Sequence, residues 1–396
     1  MHVTVPKVAL EKLLDRCAVA ADKKSTHAWH SRLLLRAAGR KLHVAAASAD
    51  AQAFSSEDVS DEVTAGEITA DAKDLCARVS AMPEGDVRLE VKGSMLMIEA
   101  VGAKRRFMMP AMPGSDFAAP PLPPAGEGVA LPVADLRAML VVRDAASTDT
   151  TKSNVNAVKF SLDLGVLLTA ATDGHRVVTF TRATDAPKGA KLDGMLSLRS
   201  AMILAKAIGG AAGEVRIWAN DGPCVVELGH TTYRFQRPDG QFPYYEGVIP
   251  KTRATRAVFS RAALVTAFKG IDLSNKVGTK LTLSAMKLSL HCESPEEGSA
   301  DDDVFLLGFE GNTPDPFGVN SEYALKALTM AAEAEAALAP PPPPKPEKGA
   351  AATAPPAPAP PAEVVMELAG SALDAMKFIG SGAGWTLLSV VMPMRI

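Results

Sequence analysis

The feature that most constrains the fold is a pattern that occurs three times along the 396-residue chain. Stretches that begin at His2, Gly128 and Arg256 each run from a short β-branched segment through Pro or Ser into a segment with amphipathic helical spacing. Each is followed by an alternating strand pair, a second helical segment and closing strands. Since such self-similarity indicates repeated structural units, the sequence predicts three tandem domains.

The first helical segment illustrates the spacing on which this interpretation depends. Val8, Leu13 and Cys17 recur at helical intervals and are expected to face a core. Lys7 and its charged neighbours are expected to face away from it. We therefore predict an α+β fold in which each domain packs two helices on antiparallel sheets.

The predicted domains span residues 1–126, 127–253 and 254–396, each of a size typical of one domain. The third contains a segment at about residues 339–363 that consists largely of Pro and Ala and lacks hydrophobic periodicity. This composition favours an extended, disordered loop, and its place between a helical segment and a strand indicates an insertion within the domain. Two roles stay open for it: a tolerated solvent loop, or a ligand for an aromatic groove on a partner.

The net charge, the apolar runs and the cysteine spacing argue against a strongly basic nucleic-acid-binding protein, a membrane-spanning protein and a disulfide-rich secreted protein. The formal net charge of −3 gives no overall attraction to nucleic acid, although a local basic stripe is compatible with it. The chain has no run of about 18 apolar residues, so no membrane span is predicted, and no membrane is expected among its partners. The scattered cysteines, without a CxxC motif, are interpreted as reduced core thiols of a cytoplasmic protein: Cys17, Cys76, Cys224 and Cys292.

Sequence motifs of common enzymes are missing. The chain contains no GxxxxGK[ST], HExxH or GxSxG, and the GSGAG at Gly380 lies between two predicted strands rather than before a helix. His175 has no nucleophile pattern beside it, and His27 with His30 has no further ligands to complete a metal site. We predict no catalytic residue, no metal and no cofactor. A tandem α+β enzyme and a repeat scaffold that binds only proteins remain as alternatives.

Three motifs in the second and third repeats carry a resemblance to a known family. They are TDGHR (Thr172–Arg176), FPYYEGVIP (Phe242–Pro250) and VVMPMRI (Val390–Ile396). In order and spacing the chain resembles the bacterial DNA polymerase III beta subunit, the sliding clamp. The resemblance implies three domains in a crescent, and two crescents paired head to tail as a homodimer that forms a closed ring around duplex DNA.

The same resemblance implies partners and a location. The ring would encircle double-stranded DNA without regard to sequence and would have no catalysis of its own. It would bind the DNA polymerase III alpha subunit, the clamp loader, and other DNA polymerases and repair proteins through short peptides with Gln and Leu or Phe anchors. The expected location is the bacterial cytoplasm, with the nucleoid.

The resemblance also assigns residues to three surfaces. A partner-peptide groove would be formed by Val155, Thr172, Gly174, His175, Arg176, Val177, Pro243, Val248, Val390, Met392, Pro393, Met394, Arg395 and Ile396. Positions expected to face DNA are Lys24, Lys152 and, more weakly, Arg199. The dimer interface would join Lys73, Arg105, Arg106 and Phe107 of one chain to Ile271, Leu273, Glu296 and Glu297 of another.

The chain departs from the family pattern at the rim of the groove. Family members commonly carry basic residues after the second tyrosine of the FPYY stretch, whereas Glu246 and Gly247 follow Tyr245 here. Asp374 stands where a small polar residue is usual. A clamp paralogue with altered partners is therefore a further alternative.

Overall fold

A computed structural model describes residues 1–59, 63–115, 117, 124, 126–220, 222–271, 278–339, 362–371 and 374–394. Backbone contacts group the chain into two compact units. Unit 1 holds Met1–Val133 and Ala186–Asp239, and unit 2 holds Ala134–Asp185 and Gly240–Ile396. The three domain ranges stay a prediction. Most of the Pro/Ala-rich insertion, residues 340–361, lies outside the described residues.

Helices and strands follow one another in an order that recurs. The first set is β1 (His2–Pro6), α1 (Lys7–Ala18), β2 (Arg32–Ala38), β3 (Lys41–Ala47), β4 (Ala51–Asp58), β5 (Gly66–Asp71), α2 (Ala72–Ser80), β6 (Asp86–Lys92), β7 (Met95–Ala100), β8 (Arg106–Pro110) and β9 (Met112–Pro113). The second is β10 (Val129–Pro132), α3 (Val133–Met139), β11 (Ala157–Asp163), β12 (Val166–Thr172), β13 (Arg176–Ala183), β14 (Leu192–Ser197), α4 (Leu198–Ala207), β15 (Glu214–Trp218), β16 (Cys224–Leu228) and β17 (Thr231–Phe235).

The third set is β18 (Thr255–Ser260), α5 (Arg261–Gly270), β19 (Thr279–Leu283), β20 (Lys287–Ser294), β21 (Gly298–Phe305), β22 (Gly308–Gly311), β23 (Phe317–Val319), α6 (Ser321–Leu338), β24 (Glu363–Leu368), β25 (Met376–Gly382) and β26 (Trp385–Val391). Short 3₁₀ helices occupy Ala28–Ser31, Leu140–Ala145 and Glu246–Val248. Each set places one helix after its first strand and a second helix before its closing strands. The predicted α+β repeat is confirmed.

Two antiparallel sheets form the frame of each unit. Unit 1 has a four-stranded sheet in the order β1-β6-β7-β8 and a nine-stranded sheet in the order β10-β15-β16-β17-β4-β3-β2-β5-β9. Unit 2 has a four-stranded sheet in the order β21-β20-β19-β23, and its larger sheet runs β11-β12-β13-β26-β25-β24-β18-β22. The terminal strand β26 therefore lies inside a sheet, between β13 and β25.

Capping side chains explain where four of the helices begin. Asp71, Ser197, Ser260 and Asn320 each accept a hydrogen bond from a backbone amide three residues further on. Such caps satisfy amides that have no partner within the helix. Among the described helices, none is both long and apolar enough to cross a membrane.

The core of unit 1 corrects the predicted face of α1. Leu13 and Cys17 are fully buried as expected, but Val8 is half exposed. Lys7 is buried instead, and its Nζ lies 3.1 Å from Glu84 Oε1. The aliphatic stem of a lysine can be buried while its ammonium reaches a carboxylate at the rim, which is the arrangement here.

The prediction that the cysteines lie in the core agrees with the structure at three of the four positions. All four thiols are free; three are buried, and Cys76 is half-buried. Burial raises the pKa of Cys224 to about 12 and that of Cys76 to about 11. These thiols are therefore protonated and unreactive near neutral pH.

Candidate functional site

The turn between β12 and β13 is held by its own polar side chains. Gly174 has a φ of 93°, which favours glycine. Thr172 Oγ1 donates to the carbonyl of Arg176 at 2.6 Å and accepts from the Gly174 amide at 3.1 Å. The Asp173 carboxylate accepts from the amides of His175 at 3.0 Å and Arg176 at 3.1 Å. The turn is therefore rigid, and it leaves His175 exposed at its tip.

The Arg176 side chain is buried beneath the turn and stabilises it, so it is not an accessible groove residue. Its side chain is only 3% exposed, and its Nε donates to Asp173 Oδ2 at 3.0 Å. Nη2 donates to the Asp144 carbonyl at 2.6 Å. The guanidinium also lies over the Tyr323 ring, 4.5 Å from its centroid. This cation–π contact fixes the β12–β13 turn relative to α6.

The terminal strand meets this turn through a continuous ladder. Val177 of β13 pairs with Val390 of β26, and the Met392 amide donates to the His175 carbonyl at 3.1 Å. Beyond β26, the Met394 amide donates to the Gly318 carbonyl at 2.9 Å. These bonds hold the chain end in place as far as residue 394. The predicted groove residues Arg395 and Ile396 lie outside the described residues.

A small apolar cluster lies beneath the ladder. Val177, Val390 and Ala375 are buried there, with Tyr245, Ile249 and Leu388 packed against them. The segment that carries Pro243 and Val248 thus reaches the terminal strand through Tyr245 and Ile249. Sequence reasoning missed these two residues, although both lie within the FPYYEGVIP motif. Their apolar character in a loop was the available signal.

Apolar residues that adjoin members of the cluster in sequence are accessible. Met392 is 47% exposed and Val248 is 49% exposed, while Pro243, Pro393 and Met394 are half-buried. Met side chains suit a surface that accepts several apolar partners because they are flexible and polarizable. We call the exposed residues Gly174, His175, Val248 and Met392, with the half-buried prolines beside them, the candidate groove.

Val155 approaches the base of the turn through the backbone. The Ser147 amide donates to the carbonyls of both Val155, at 2.9 Å, and Thr172, at 3.2 Å. The structure therefore brings together the predicted residues of the second repeat. It also gives them two distinct roles: Thr172, Arg176, Val177 and Val390 are buried supports, whereas the candidate groove is accessible.

Glu246 and Asp374, the two acidic residues at which the chain departs from the family pattern, both lie next to residues of the apolar cluster in sequence. Glu246 is exposed at the start of a 3₁₀ turn. Burial raises the pKa of Tyr245 to about 12, with the Glu246 carboxylate adding to this effect. Asp374 Oδ2 accepts from the Ser371 amide at 2.9 Å. Both carboxylates add negative charge near the apolar cluster.

No group of three or more metal-ligating side chains occurs in the described part of the chain. Within that part, His27 and His30 are in ring contact, with centroids 5.1 Å apart, and His30 Nδ1 lies 2.7 Å from Ser25 Oγ.

The three predicted DNA-facing residues differ in how freely they present charge. Lys24 is exposed. Lys152 is exposed as well, with its Nζ 3.6 Å from Asp149 Oδ2. Arg199 is held by two carboxylates, since its Nη1 lies 2.8 Å from Asp22 Oδ2 and its Nε lies 3.4 Å from Asp50 Oδ2. The hydrogen bond from Arg199 lowers the pKa of Asp22. The Asp22 carboxylate therefore stays ionised and offsets the positive charge of the Arg199 guanidinium.

The predicted interface residues separate into surface and core. Lys73, Arg105, Arg106, Glu296 and Glu297 are exposed, and Phe107 is half-buried with the Arg78 guanidinium 5.9 Å from its ring centroid.

Ile271 was expected at the interface, but it is only 1% exposed. It follows α5 and packs into the unit 2 core with Phe268. It therefore stabilises unit 2 and is not available to a partner. Leu273 lies outside the described residues.

Comparisons with known proteins agree across sequence and structure. Residues 1–121 match the family model described as DNA polymerase III beta subunit, N-terminal domain. The chain is 25% identical to the beta sliding clamp of Pseudomonas aeruginosa, over 83% of this chain and 90% of that protein. It is 27% identical to the beta sliding clamp of Caulobacter vibrioides, over 82% and 89%. A crystal structure of the Pseudomonas aeruginosa sliding clamp bound to griselimycin matches with a TM-score of 0.83 at 23% identity, covering 100% of both chains.

Proposed function

We propose that this chain acts as a DNA sliding clamp, because it is similar in sequence and in fold to DNA polymerase III beta subunits over most of its length. Two copies join head to tail into a ring around duplex DNA. The ring tethers the replicative polymerase and other DNA enzymes and performs no catalysis itself. The observation that carries this proposal is the α+β order that recurs through the described residues, together with a fold that matches the Pseudomonas aeruginosa beta subunit structure over its full length.

Topological linkage accounts for a clamp with net negative charge. A ring that encloses DNA stays on it without tight phosphate contacts, so a net charge of −3 is no obstacle. Exposed cations such as Lys24 and Lys152 then need only make weak, sequence-independent contacts that allow sliding. Arg199 is a poorer candidate because two carboxylates already hold it.

Partner proteins would bind the candidate groove through short peptides with Gln and Leu or Phe anchors. Support comes from the accessible side chains of Met392 and Val248, which adjoin members of the buried cluster in sequence, since apolar anchors supply much of the energy of peptide binding. The Pseudomonas aeruginosa clamp has been crystallised with griselimycin, and this compound would be a suitable competitor for peptide binding to the present chain. Glu246 and Asp374 would favour peptides whose flanking residues are basic.

Processive synthesis by the organism's own DNA polymerase III alpha subunit tests this function. On a singly primed circular template with the clamp loader, adding the clamp should lengthen the products made in one binding event by at least tenfold. Met392→Asp should remove this gain in product length. The apolar side chain of a bound peptide would exclude water from the new carboxylate, and this loss of hydration weakens binding. Met286→Asp is the matched control, since Met286 is exposed in the turn between β19 and β20. Unchanged product length with wild-type clamp would contradict the proposal.

A further inference from the structure

A small cavity opens on the face of the nine-stranded sheet of unit 1 that points away from the core. The even-numbered residues of β2 and β4 and the odd-numbered residues of β3 lie on this face, because side chains alternate along a strand. The cavity has a volume of about 260 Å³, and its lining includes Leu34, Arg36, His43, Ala45 and Phe54. None of these residues belongs to the candidate groove or to the predicted DNA-facing and interface residues. A ligand bound here would be independent of the proposed clamp contacts.

One short side chain between two long ones produces the hollow. In a row of paired residues that crosses three strands, Ala45 of β3 lies between Leu34 of β2 and Phe54 of β4. The side chain of Ala45 is a single methyl group, so space remains between its two larger neighbours. Leu34 is only 9% exposed and Ala45 only 2%, although both lie on the face away from the core. The floor of the cavity is therefore apolar and shielded from water.

The next row of the sheet supplies a polar atom without a partner. His43 of β3 stacks on the Phe54 ring, with the ring centroids 5.7 Å apart and the planes at 14°. Its Nδ1 is buried and has no hydrogen-bond partner among the described residues. A buried polar atom is costly to leave unpaired, and most such atoms in proteins have a partner. A ligand atom in the cavity would satisfy it.

Arg36 supplies a free cation beside this atom. It is the direct cross-strand partner of His43, and its side chain is exposed. Arg36 makes no ion pair in the part of the chain that the structure describes, although Glu67 is its partner on β5. Lys41, on the same face, differs because its Nζ lies 3.5 Å from Asp58 Oδ1. The Arg36 guanidinium is thus available to an anion, and it suits a carboxylate, which it can bind through two parallel hydrogen bonds.

The charge state of His43 fits the same kind of ligand. Burial lowers the pKa of His43, and the positive charges of Arg36 and Lys41 add to this effect, so the ring is neutral near pH 7. A neutral imidazole can carry its proton on Nδ1 and donate from there. Arg36 and His43 can then donate together to one carboxylate, and the single positive charge of the pair matches its single negative charge.

We propose that this cavity binds a small aromatic carboxylate. The ring of the ligand lies over Ala45, between Leu34 and Phe54. Its carboxylate accepts hydrogen bonds from Arg36 and from His43 Nδ1. The volume agrees with this ligand, since an apolar cavity of about 150 Å³ holds benzene and the remaining space suits a short acid chain. Ligand sites in proteins commonly combine apolar walls with a few polar groups that fix orientation, which is the composition found here.

The pairing of the strands favours a free acid over the C-terminus of a partner peptide. A peptide that ends in an aromatic residue offers the same ring and carboxylate. Its preceding residues would also need partners for their main-chain groups, which peptides often find at an open sheet edge. The strands β2, β3 and β4 each have a neighbour on both sides in the sheet, so none of them presents such an edge.

Isothermal titration calorimetry of the full chain with 3-phenylpropionate tests the proposal. The matched probes are 3-phenylpropanamide, which lacks the charge, and propionate, which lacks the ring. We expect saturable binding of 3-phenylpropionate at one site per chain, and dissociation constants at least tenfold larger for the two matched probes. Equal affinity for the acid and the amide would overturn the role of the carboxylate. The absence of saturable binding up to about 10 mM acid would overturn the site itself.

Replacing the free cation tests how the carboxylate is held. Arg36→Gln should weaken binding of 3-phenylpropionate at least tenfold, because charge-assisted hydrogen bonds are lost, and should change the affinity for the amide by less than about threefold. Lys41→Gln is the matched control on the same face, and it should change the affinity for the acid by less than about threefold because Asp58 already holds Lys41. Equal losses in the two variants would indicate a general electrostatic effect and overturn the role of Arg36.

Filling the hollow tests where the ring lies. Ala45→Leu should abolish binding of 3-phenylpropionate, because the added side chain occupies the space of the ring. Ala47→Leu is the matched control, since Ala47 lies two residues along the same face and outside the cavity lining. Unchanged affinity in a folded Ala45→Leu protein, checked by circular dichroism, would overturn the placement of the ring. Arg36→Gln, at an exposed position, keeps the site testable if Ala45→Leu does not fold.

A pentapeptide that ends in Phe separates the two sources of an aromatic carboxylate. We expect it to bind at least tenfold more weakly than 3-phenylpropionate, because the cavity offers no open strand edge to its main chain. A pentapeptide that binds as tightly as the free acid, or more tightly, would overturn the free acid as the ligand and assign the cavity to the C-terminus of a partner protein.

Discussion

Replacing Arg176 with alanine tests whether a buried guanidinium holds the turn that carries His175. The change leaves the Asp173 carboxylate without its ion-pair partner and the Asp144 carbonyl without a donor. Removing one partner of a buried ion pair costs about 3–5 kcal/mol. Asp173 keeps two backbone amide donors, so we expect the lower end, about 3 kcal/mol of the free energy of unfolding.

The assay is thermal unfolding followed by circular dichroism. In a unit of about 200 residues each kcal/mol shifts Tm by about 2–4 °C, so unit 2 should melt about 6–12 °C lower. His175→Ala is the matched control, because its side chain is exposed and it should change stability by less than about 0.5 kcal/mol. Equal melting of the two variants would refute the supporting role of Arg176. Peptide affinity should also fall for Arg176→Ala, because the turn positions the candidate groove.

Four further outcomes are expected. Removing Met392–Ile396 should abolish binding of a fluorescent partner peptide, measured by anisotropy, while light scattering still shows a dimer; unchanged affinity would exclude the terminal strand from the groove. Replacing residues 340–361 with a Gly/Ser linker of equal length should move Tm by less than about 2 °C, because a Pro/Ala-rich segment without periodicity buries little surface; a larger loss would mean that it packs. Lys152→Ala should shorten the retention time of the clamp on closed circular DNA, and reduce the salt dependence of that retention, more than Arg199→Ala does. The reason is that two carboxylates already hold Arg199. A larger effect of Arg199→Ala would reassign the DNA-facing surface. At pH 8 a thiol reagent should modify native Cys76 slowly, since burial raises the pKa of this thiol to about 11. The free energy of unfolding should fall as pH rises from about 9 towards 11, because the thiol ionises at lower pH in the unfolded chain than in the folded one. Rapid modification, or a free energy of unfolding that rises over this pH range, would contradict the burial of this thiol.

The repeat and its fold class could be predicted because hydrophobic periodicity records local structure. The first helix shows the limit of that signal. Lys7 lies three residues before Leu10, which is fully buried, so helical phase alone places it inward. Residue type suggested the opposite, because lysines are seldom buried without a partner. The partner, Glu84, is 77 residues away in sequence and could not be anticipated.

The sequence motifs predicted which segments form the candidate groove. They did not predict which of its residues are buried supports and which are accessible to a partner. The three motifs brought the correct elements together, since β13 and β26 are neighbours in one sheet. Which residues are supports and which are accessible depends on long-range contacts, such as the one between Arg176 and Tyr323. The same reason explains Arg199, whose partner Asp50 is remote in sequence, and Ile271, which closes a helix against the core.

Retention on circular and linear DNA tests the central claim of a closed, encircling ring most directly. The clamp is loaded with its clamp loader onto nicked circular plasmid at moderate salt, and half of the sample is then linearised. We predict that the clamp remains on circles and leaves linear DNA rapidly, because free ends let a ring slide off. Equal retention on both forms, falling steeply with salt, would indicate ordinary electrostatic binding and contradict the account.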